Sequence, residues 1–392
     1  MGKKTHALVL DLNYAGYGVV KSLYPYKIPI IGFYNNKSIP ESKTRLCLKK
    51  YFFRNEAELL HILLNLDILK TEKPVLIFTA DSYVNFFLKN RSLLEDKFLI
   101  DLPDTKTTEL LLDKNQFADF AVKNNILIPK SLRLNKIEDQ YNVNELIRFP
   151  AILKPFLRNP DWIQSSLPKA FFLKTYEDFK IAYAKAFNIE HNLLIQEWIP
   201  GEDYNVQYCL TYFNANSNLV ASFTGYKLRQ WPVGTGSTAT TAPIENNWIT
   251  KETKRIFQLV NYRGFGSIEF KKSDYDGQYY LMEPTAGRLN QQEYIATLNG
   301  INLPLKAYNS LTNSFIQERI PKKHPIIYID ELAEIASTIT HFKRKLITFR
   351  EWRKSLKGFR AYRYFNKSDI SVFLGIFCFI TNKIIKKIFH PK

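Results

Sequence analysis

Gly266-Ser267-Ile268-Glu269-Phe270 and Tyr280-Leu281-Met282-Glu283-Pro284, separated by a Ser-Asp-Tyr-Asp-Gly turn, read as two strands of one hairpin. If the hairpin pairs them, Glu269 and Glu283 converge at one end of a sheet. Like charges at close range need a cation to stay ionised. Few hard oxygen ligands, with nucleotide phosphates completing the shell, suit magnesium. A pair of edge glutamates facing water is the plainer alternative.

Working backwards from the hairpin, 204–211 and 219–228 read as strands, 251–260 as a helix, and 233–237 as a glycine-containing loop. Further upstream, 192–198 is an apolar strand ended by Pro200-Gly201, and 149–154 is a strand opened by Pro150. That strand ends in Lys154, where burying an unpaired ammonium is expensive, so it is expected to meet an anion such as phosphate oxygens. Lys114, after Asp113 at the start of a short helix over 114–124, has a solvated helix face as its ordinary reading. This middle region is α+β with antiparallel strands.

The first hundred residues have a different texture. Strands over 6–12, 28–34 and 74–79 alternate with helical stretches beginning at Gly16 and spanning 56–66, which argues for a doubly wound parallel sheet. Loops at the carboxyl ends of such strands, 11–18 and 79–82, are where ligands are expected. Gly16-x-Gly18 lacks the third glycine of a dinucleotide fingerprint and reads as a tight strand-to-helix turn, which argues against an oxidoreductase.

With 392 residues the chain has room for two or three domains, and its 45% hydrophobic and 23% charged residues exclude disorder as the dominant state. Three scattered cysteines, Cys47, Cys209 and Cys378, indicate neither a zinc site nor a disulfide framework, and a reducing cytosol is the expected compartment. Neither a signal peptide nor a myristoylation signal is expected at the N-terminus. The net charge of +18 is concentrated: 342–392 holds 14 Lys and Arg against Glu351 and Asp369, 14 − 2 = +12, leaving +6 for the rest. No nucleic-acid module surrounds these charges. The apolar run 372–380, and Lys383, Lys386 and Lys387 alternating with Ile384, Ile385, Ile388 and Phe389, suit a helix lying on an anionic membrane or packed on the body.

Taken together, Asp113-Lys114, Ile152-Leu153-Lys154-Pro155, Gln196-Glu197-Trp198-Ile199-Pro200-Gly201-Glu202-Asp203 and the two glutamate strands resemble, in order and spacing, the ATP-grasp carboxylate–amine ligases. The D-alanine–D-alanine ligases belong to this group. The resemblance covers about residues 1–310. It implies an α/β Rossmann-like N-terminal domain (1–110) and a two-lobed α+β ATP-grasp domain (111–320, lobes 111–195 and 196–320), and the charge pattern adds a basic helical extension (321–392). It further implies that Lys114 and Lys154 hold phosphates, that Gln196, Glu197 and the Ile199 backbone read adenine, and that Asp203, or else Glu202, takes the ribose. Glu269 and Glu283 would bind magnesium. Lys227 and Arg229 would face the terminal phosphate under a closing loop, Gly234 to Ser237, and Arg288 would stabilise charge at the acyl centre.

The implied reaction joins a small-molecule carboxylate to an amine at the expense of ATP, in the cytoplasm or at the inner face of its membrane, with a homodimer as the default assembly. Thr285 stands where the family usually writes Asn, with Asn290 nearby, which leaves the second magnesium ligand set open. A nucleotide binder that ligates nothing, and a surface protein acting through its basic tail, are the rival readings.

Overall fold

The computed structural model describes residues 4–156, 160–165, 167–168, 170–319 and 325–389. Among them, fifteen strands form three sheets. The first holds β1 (Ala7–Leu10), β2 (Ile30–Tyr34), β3 (Lys49–Phe52) and β4 (Val75–Phe78) in the order β3-β2-β1-β4, all parallel. β1 and β4 are unbroken apolar runs because both of their faces are covered. Ala7 and Val9 pack with Tyr17, Val20 and Leu23 of helix Tyr14–Leu23, while the alternate residues Leu8 and Leu10 pack with Leu59, Leu63, Phe86 and Phe87 on the other side. Asn13 starts the first helix by accepting from Gly16 N, and Asn55 does the same for helix Glu56–Leu64. Gly16 has a packing reason: a Cβ there would run into the Asp11 carbonyl.

The second sheet, β5 (Ser131–Leu134), β6 (Ala151–Pro155), β7 (Phe171–Leu173) and β8 (Leu193–Glu197), is antiparallel in the order β5-β8-β6-β7. Ala151, Leu153, Leu193 and Ile195 bury one face against Phe179, Ala182 and Tyr183 of helix Tyr176–Phe187. The other face carries Ser131, Arg133, Lys154 and Gln196.

The third sheet holds β9 (Val206–Phe213), β10 (Leu219–Trp231), β11 (Ser237–Pro243), β12 (Gly264–Lys272), β13 (Tyr279–Ala286), β14 (Ile326–Ile329) and β15 (Phe359–Tyr362). Their order is β13-β12-β9-β10-β11-β14-β15. The chain divides into two compact units: Met1–Phe117, Glu202–Phe270 and Glu283–Lys392 in one, Ala118–Gly201 and Lys271–Met282 in the other.

This partition differs from the division drawn from sequence. The segment 321–392, expected to be a helical extension, supplies two strands to the large sheet, β14 antiparallel to β11 and β15 parallel to β14. Ile-Ile-Tyr-Ile at 326–329 is a short buried strand masked in the sequence by the charge around it. Helices Glu331–Lys343, Phe349–Ser355 and Ile370–Phe389 complete the segment. The alternation of Lys383, Lys386 and Lys387 with apolar residues lies outside the described side chains.

Candidate functional site

The root of the β12–β13 hairpin lies in the larger unit, and there the charged residues gather. Glu269, on β12, receives Lys227 Nζ at 2.7 Å from β10, two strands away. Lys227 is buried and also donates to Gln230 Oε1 at 3.3 Å. Glu283, on β13, retains accessible surface. Desolvation by the surrounding protein, and next the Glu269 carboxylate, push its carboxyl up, with a further rise from Asp81; Lys114 and Arg288 oppose the rise. Of the sequence-chosen residues, Glu269, Lys114 and Arg288 therefore lie within electrostatic reach of Glu283, and Lys227 is paired with Glu269.

The supports of this cluster are local. Lys114 opens helix Lys114–Lys123, whose first amides, Asn115 N and Gln116 N, donate to Asp113 Oδ1 at 3.0 and 2.9 Å. Lys114 itself is exposed, beside a helix N-terminus whose first amides the Asp113 carboxylate satisfies. Arg288 is clamped by Asp81, Nε to Oδ1 at 2.5 Å and Nη2 to Oδ2 at 2.9 Å. Asp81 begins the helix after β4, so the carboxyl end of the parallel sheet positions the guanidinium. Asn290 donates to Ser267 Oγ at 2.9 Å, on the strand that carries Glu269 two residues on. Among the described residues, no group of three or more His, Cys, Asp or Glu side chains is gathered as a metal cage. Two carboxylates in mutual repulsion, one pushed up by desolvation, fit a divalent cation whose remaining ligands come from a phosphate chain.

Two sequence-chosen residues are held elsewhere. Lys227 pairs with Thr241 and Arg229 with Thr240, so two steps along β10 match one along β11. The extra residue of this bulge turns Arg229 to the opposite face of the sheet from Lys227. There it is buried, with Nε donating to Glu334 Oε1 and Oε2 at 2.7 and 2.9 Å and Nη1 to Ser355 Oγ at 2.8 Å. The structure does not bring Arg229 to the glutamates. Asp203 is likewise buried and its oxygens are already used: they accept from Gln230 N at 2.7 Å, Gln230 Nε2 at 2.9 Å and Gly234 N at 3.0 Å. It anchors the 232–236 loop that leads to Ser237, the exposed first residue of β11. Glu202, beside it, is exposed. In that loop Gly236 lies so close to the Trp231 backbone that a Cβ would overlap it.

The smaller unit carries the remaining candidates. Register sets Lys154 opposite Leu194 and Ile152 opposite Gln196, which puts Lys154 and Gln196 on the face of the sheet turned away from the helix. Gln196 Nε2 donates to Ser131 Oγ at 3.0 Å, and Lys154 Nζ lies 3.5 Å from Gln196 Oε1. Glu197 ends β8, accepting from Arg148 N at 3.0 Å with the Arg148 guanidinium 3.6 Å away. Its own amide donates to Lys130 O and that of Trp198 to Pro150 O, both at 2.9 Å, which fixes the path of the chain before buried Ile199.

No protein-family model matches the chain. The D-aspartate ligase of Enterococcus faecium (strain Aus0004) is 25% identical over 244 residues, covering 60% of this chain and 58% of that enzyme, so the chain spans less than two thirds of its length. The D-alanine–D-alanine ligase of Pelagibacter ubique (strain HTCC1062) is 24% identical over 257 residues, 59% of this chain and 77% of that one. The N5-carboxyaminoimidazole synthetase of Staphylococcus aureus, solved with ADP, superposes with a TM-score of 0.58 at 13% identity, covering 80% of this chain and 79% of the other. The chain has the ATP-grasp fold.

Within this ATP-grasp fold, sequence reading missed the supporting residues. Asp81 was visible only as a loop residue at the end of β4, and its pairing with Arg288 joins positions 207 residues apart. Gln230, Ser131 and Arg148, the partners of Lys227, Gln196 and Glu197, belong to no motif.

Proposed function

We propose that the protein is an ATP-dependent carboxylate–amine ligase that forms an amide through an acyl phosphate and releases ADP and phosphate. The observation that carries this reading is the cluster of Glu269, Glu283, Lys227, Lys114 and Arg288 at the root of one hairpin. The two ligases among the relatives support it and favour amino acids as substrates.

The substrate carboxylate attacks the γ-phosphorus of ATP, and the bond from that phosphorus to the ADP oxygen breaks. The amine nitrogen then attacks the acyl carbon, the carbon–oxygen bond to phosphate breaks, and the nitrogen loses its extra proton to solvent. Such chemistry is mostly positioning and charge neutralisation, so it needs no protein nucleophile.

Glu269 and Glu283 would hold magnesium, which supplies charge neutralisation at the transferring phosphate. Lys227, already against Glu269, is placed to shift toward a γ-phosphate. Lys114 and Lys154 bind the phosphate chain as point charges. Gln196, Glu197 and the Ile199 backbone meet adenine. Glu202 takes the ribose, because the oxygens of Asp203 are occupied. Arg288, held rigidly by Asp81, meets the charge that develops at the acyl centre. The loop ending at Ser237 covers the phosphates, and Arg229 supports the sheet from behind.

ADP release in the presence of magnesium, ATP and a panel of amino acids, D-aspartate and D-alanine among them, tests the reading. Turnover should require both a carboxylate and an amine and fall on the order of 100-fold or more in Glu283→Gln. Nucleotide binding without ADP release for any carboxylate and amine pair would overturn the ligase and leave a nucleotide binder.

A further inference from the structure

Over residues 370–380, helix Ile370–Phe389 carries apolar residues on two sides, one buried and one exposed. Val372, Gly375 and Ile376 are buried, and Gly375 is seated against Pro40 and Lys43: a Cβ on it would lie 3.2 Å from Pro40 Cα and 3.3 Å from Lys43 Cγ. Asp369 ties the start of the helix to the same segment, accepting from Thr44 Oγ1 and from Arg45 N. On the outer side Ile370, Leu374 and Phe377 follow the i, i+4, i+7 spacing of one stripe, and they are 47%, 56% and 59% exposed. The stripe continues as aromatic rings in edge contact, Phe365 to Phe373 at 5.5 Å and Phe373 to Phe377 at 6.0 Å. Leu48, on the segment that follows the seat, is 70% exposed.

The rim of this apolar stripe is basic. Lys43 and Arg45 come from the segment beneath the helix and Lys367 from the turn before it, and all three are exposed. The two acids of 342–392 offset little of this charge, because buried Asp369 is engaged by Thr44 and Ser371 and Glu351 closes a capping box with Thr348. Among the described residues, no helix is long and apolar enough to cross a membrane. An apolar stripe that cannot span, rimmed by cations on a rigid seat, matches one solvent boundary: acyl chains beneath anionic headgroups.

We propose that this face docks the protein on an anionic lipid bilayer, with Leu374 and Phe377 entering the headgroup boundary and Lys43, Arg45 and Lys367 meeting lipid phosphates. The sequence alone suggested only the tail; the fold adds the 43–45 segment, more than three hundred residues away, against the start of the same helix.

Co-sedimentation of the full-length chain with phosphatidylcholine vesicles, with and without phosphatidylglycerol, tests this without reference to ligase activity. Binding is expected only with phosphatidylglycerol and should weaken as salt is raised. Leu374→Ser combined with Phe377→Ser should lower the partition coefficient on the order of 100-fold, and Lys43→Gln with Arg45→Gln and Lys367→Gln by a similar factor. Unchanged melting temperature and ATP binding in both variants serve as the folding control. No binding to anionic vesicles, or equal binding by the variants, overturns the proposal. So does a concentration-dependent dimer that Phe377→Ser dissociates, which would make the face an interface between two copies of the chain.

Discussion

Arg229 offers the sharpest test of how the β10 bulge sorts neighbouring cations, because sequence places it beside Lys227 and the fold buries it behind the sheet. Glu334 Oε1 and Oε2 accept from Arg229 Nε, Thr240 Oγ1 donates to Oε2 at 2.6 Å, and Trp352 Nε1 and Thr338 Oγ1 donate to Oε1 at 3.0 and 3.1 Å. Arg229 and Glu334 are 3% and 6% exposed, so solvent cannot replace a missing partner. Removing one charge of such a pair leaves the other buried and unpaired, a cost of about 3–5 kcal/mol. At roughly 2 °C per kcal/mol for a large domain, Glu334→Gln should lower Tm by about 6–10 °C, and Arg229→Met by a similar amount. Removing both, Arg229→Met with Glu334→Gln, should cost clearly less than the sum of the single changes, with a coupling of about 2 kcal/mol or more. Thermal unfolding of the four proteins measures the cycle, and ATP affinity of each measures the site. If Arg229→Met loses turnover on the order of 100-fold with Tm unchanged, Arg229 acts in the chemistry and the face-switching argument fails.

Two further expectations follow from buried carboxylates. Asp203→Asn should lower Tm, since an amide cannot accept from Gln230 N, Gln230 Nε2 and Gly234 N together, while the KM for ATP changes less than about threefold; a large KM increase at constant Tm would return Asp203 to the ribose. Glu293 is fully buried, Ser22 and Thr297 donate to Oε1, and burial pushes its carboxyl up to about 7. Its folded form therefore holds a proton more tightly than the unfolded chain, and its contribution to stability falls as pH rises from about 4.5 toward about 7. Chemical denaturation of Glu293→Gln against the natural chain should show the variant gaining relative stability across that range, and parallel profiles would refute the shift.

Much of this protein was legible before folding. The alternation of all-apolar strands with helices told of a parallel sheet, because strands covered on both faces have no polar side to show. Glu269 and Glu283 were readable as neighbours because a hairpin's pairing is local, whereas Lys154 and Gln196 share a face only through the register in which β6 and β8 pair. Local geometry also fails locally: one extra residue in β10 separates Arg229 from Lys227, and nothing in Lys227-Leu228-Arg229 announces it.

What only the tertiary structure decided are the pairings between distant segments. Arg288 needs Asp81, Arg229 needs Glu334, and the final helix needs the segment after Pro40. The sequence by itself determined which residue types the site would contain and the order in which they occur, since strand periodicity and turn chemistry act over a few residues. Which of those charges gather at the hairpin root and which are buried as supports was left to packing, because the partner that the fold brings to a charge decides what that charge can do.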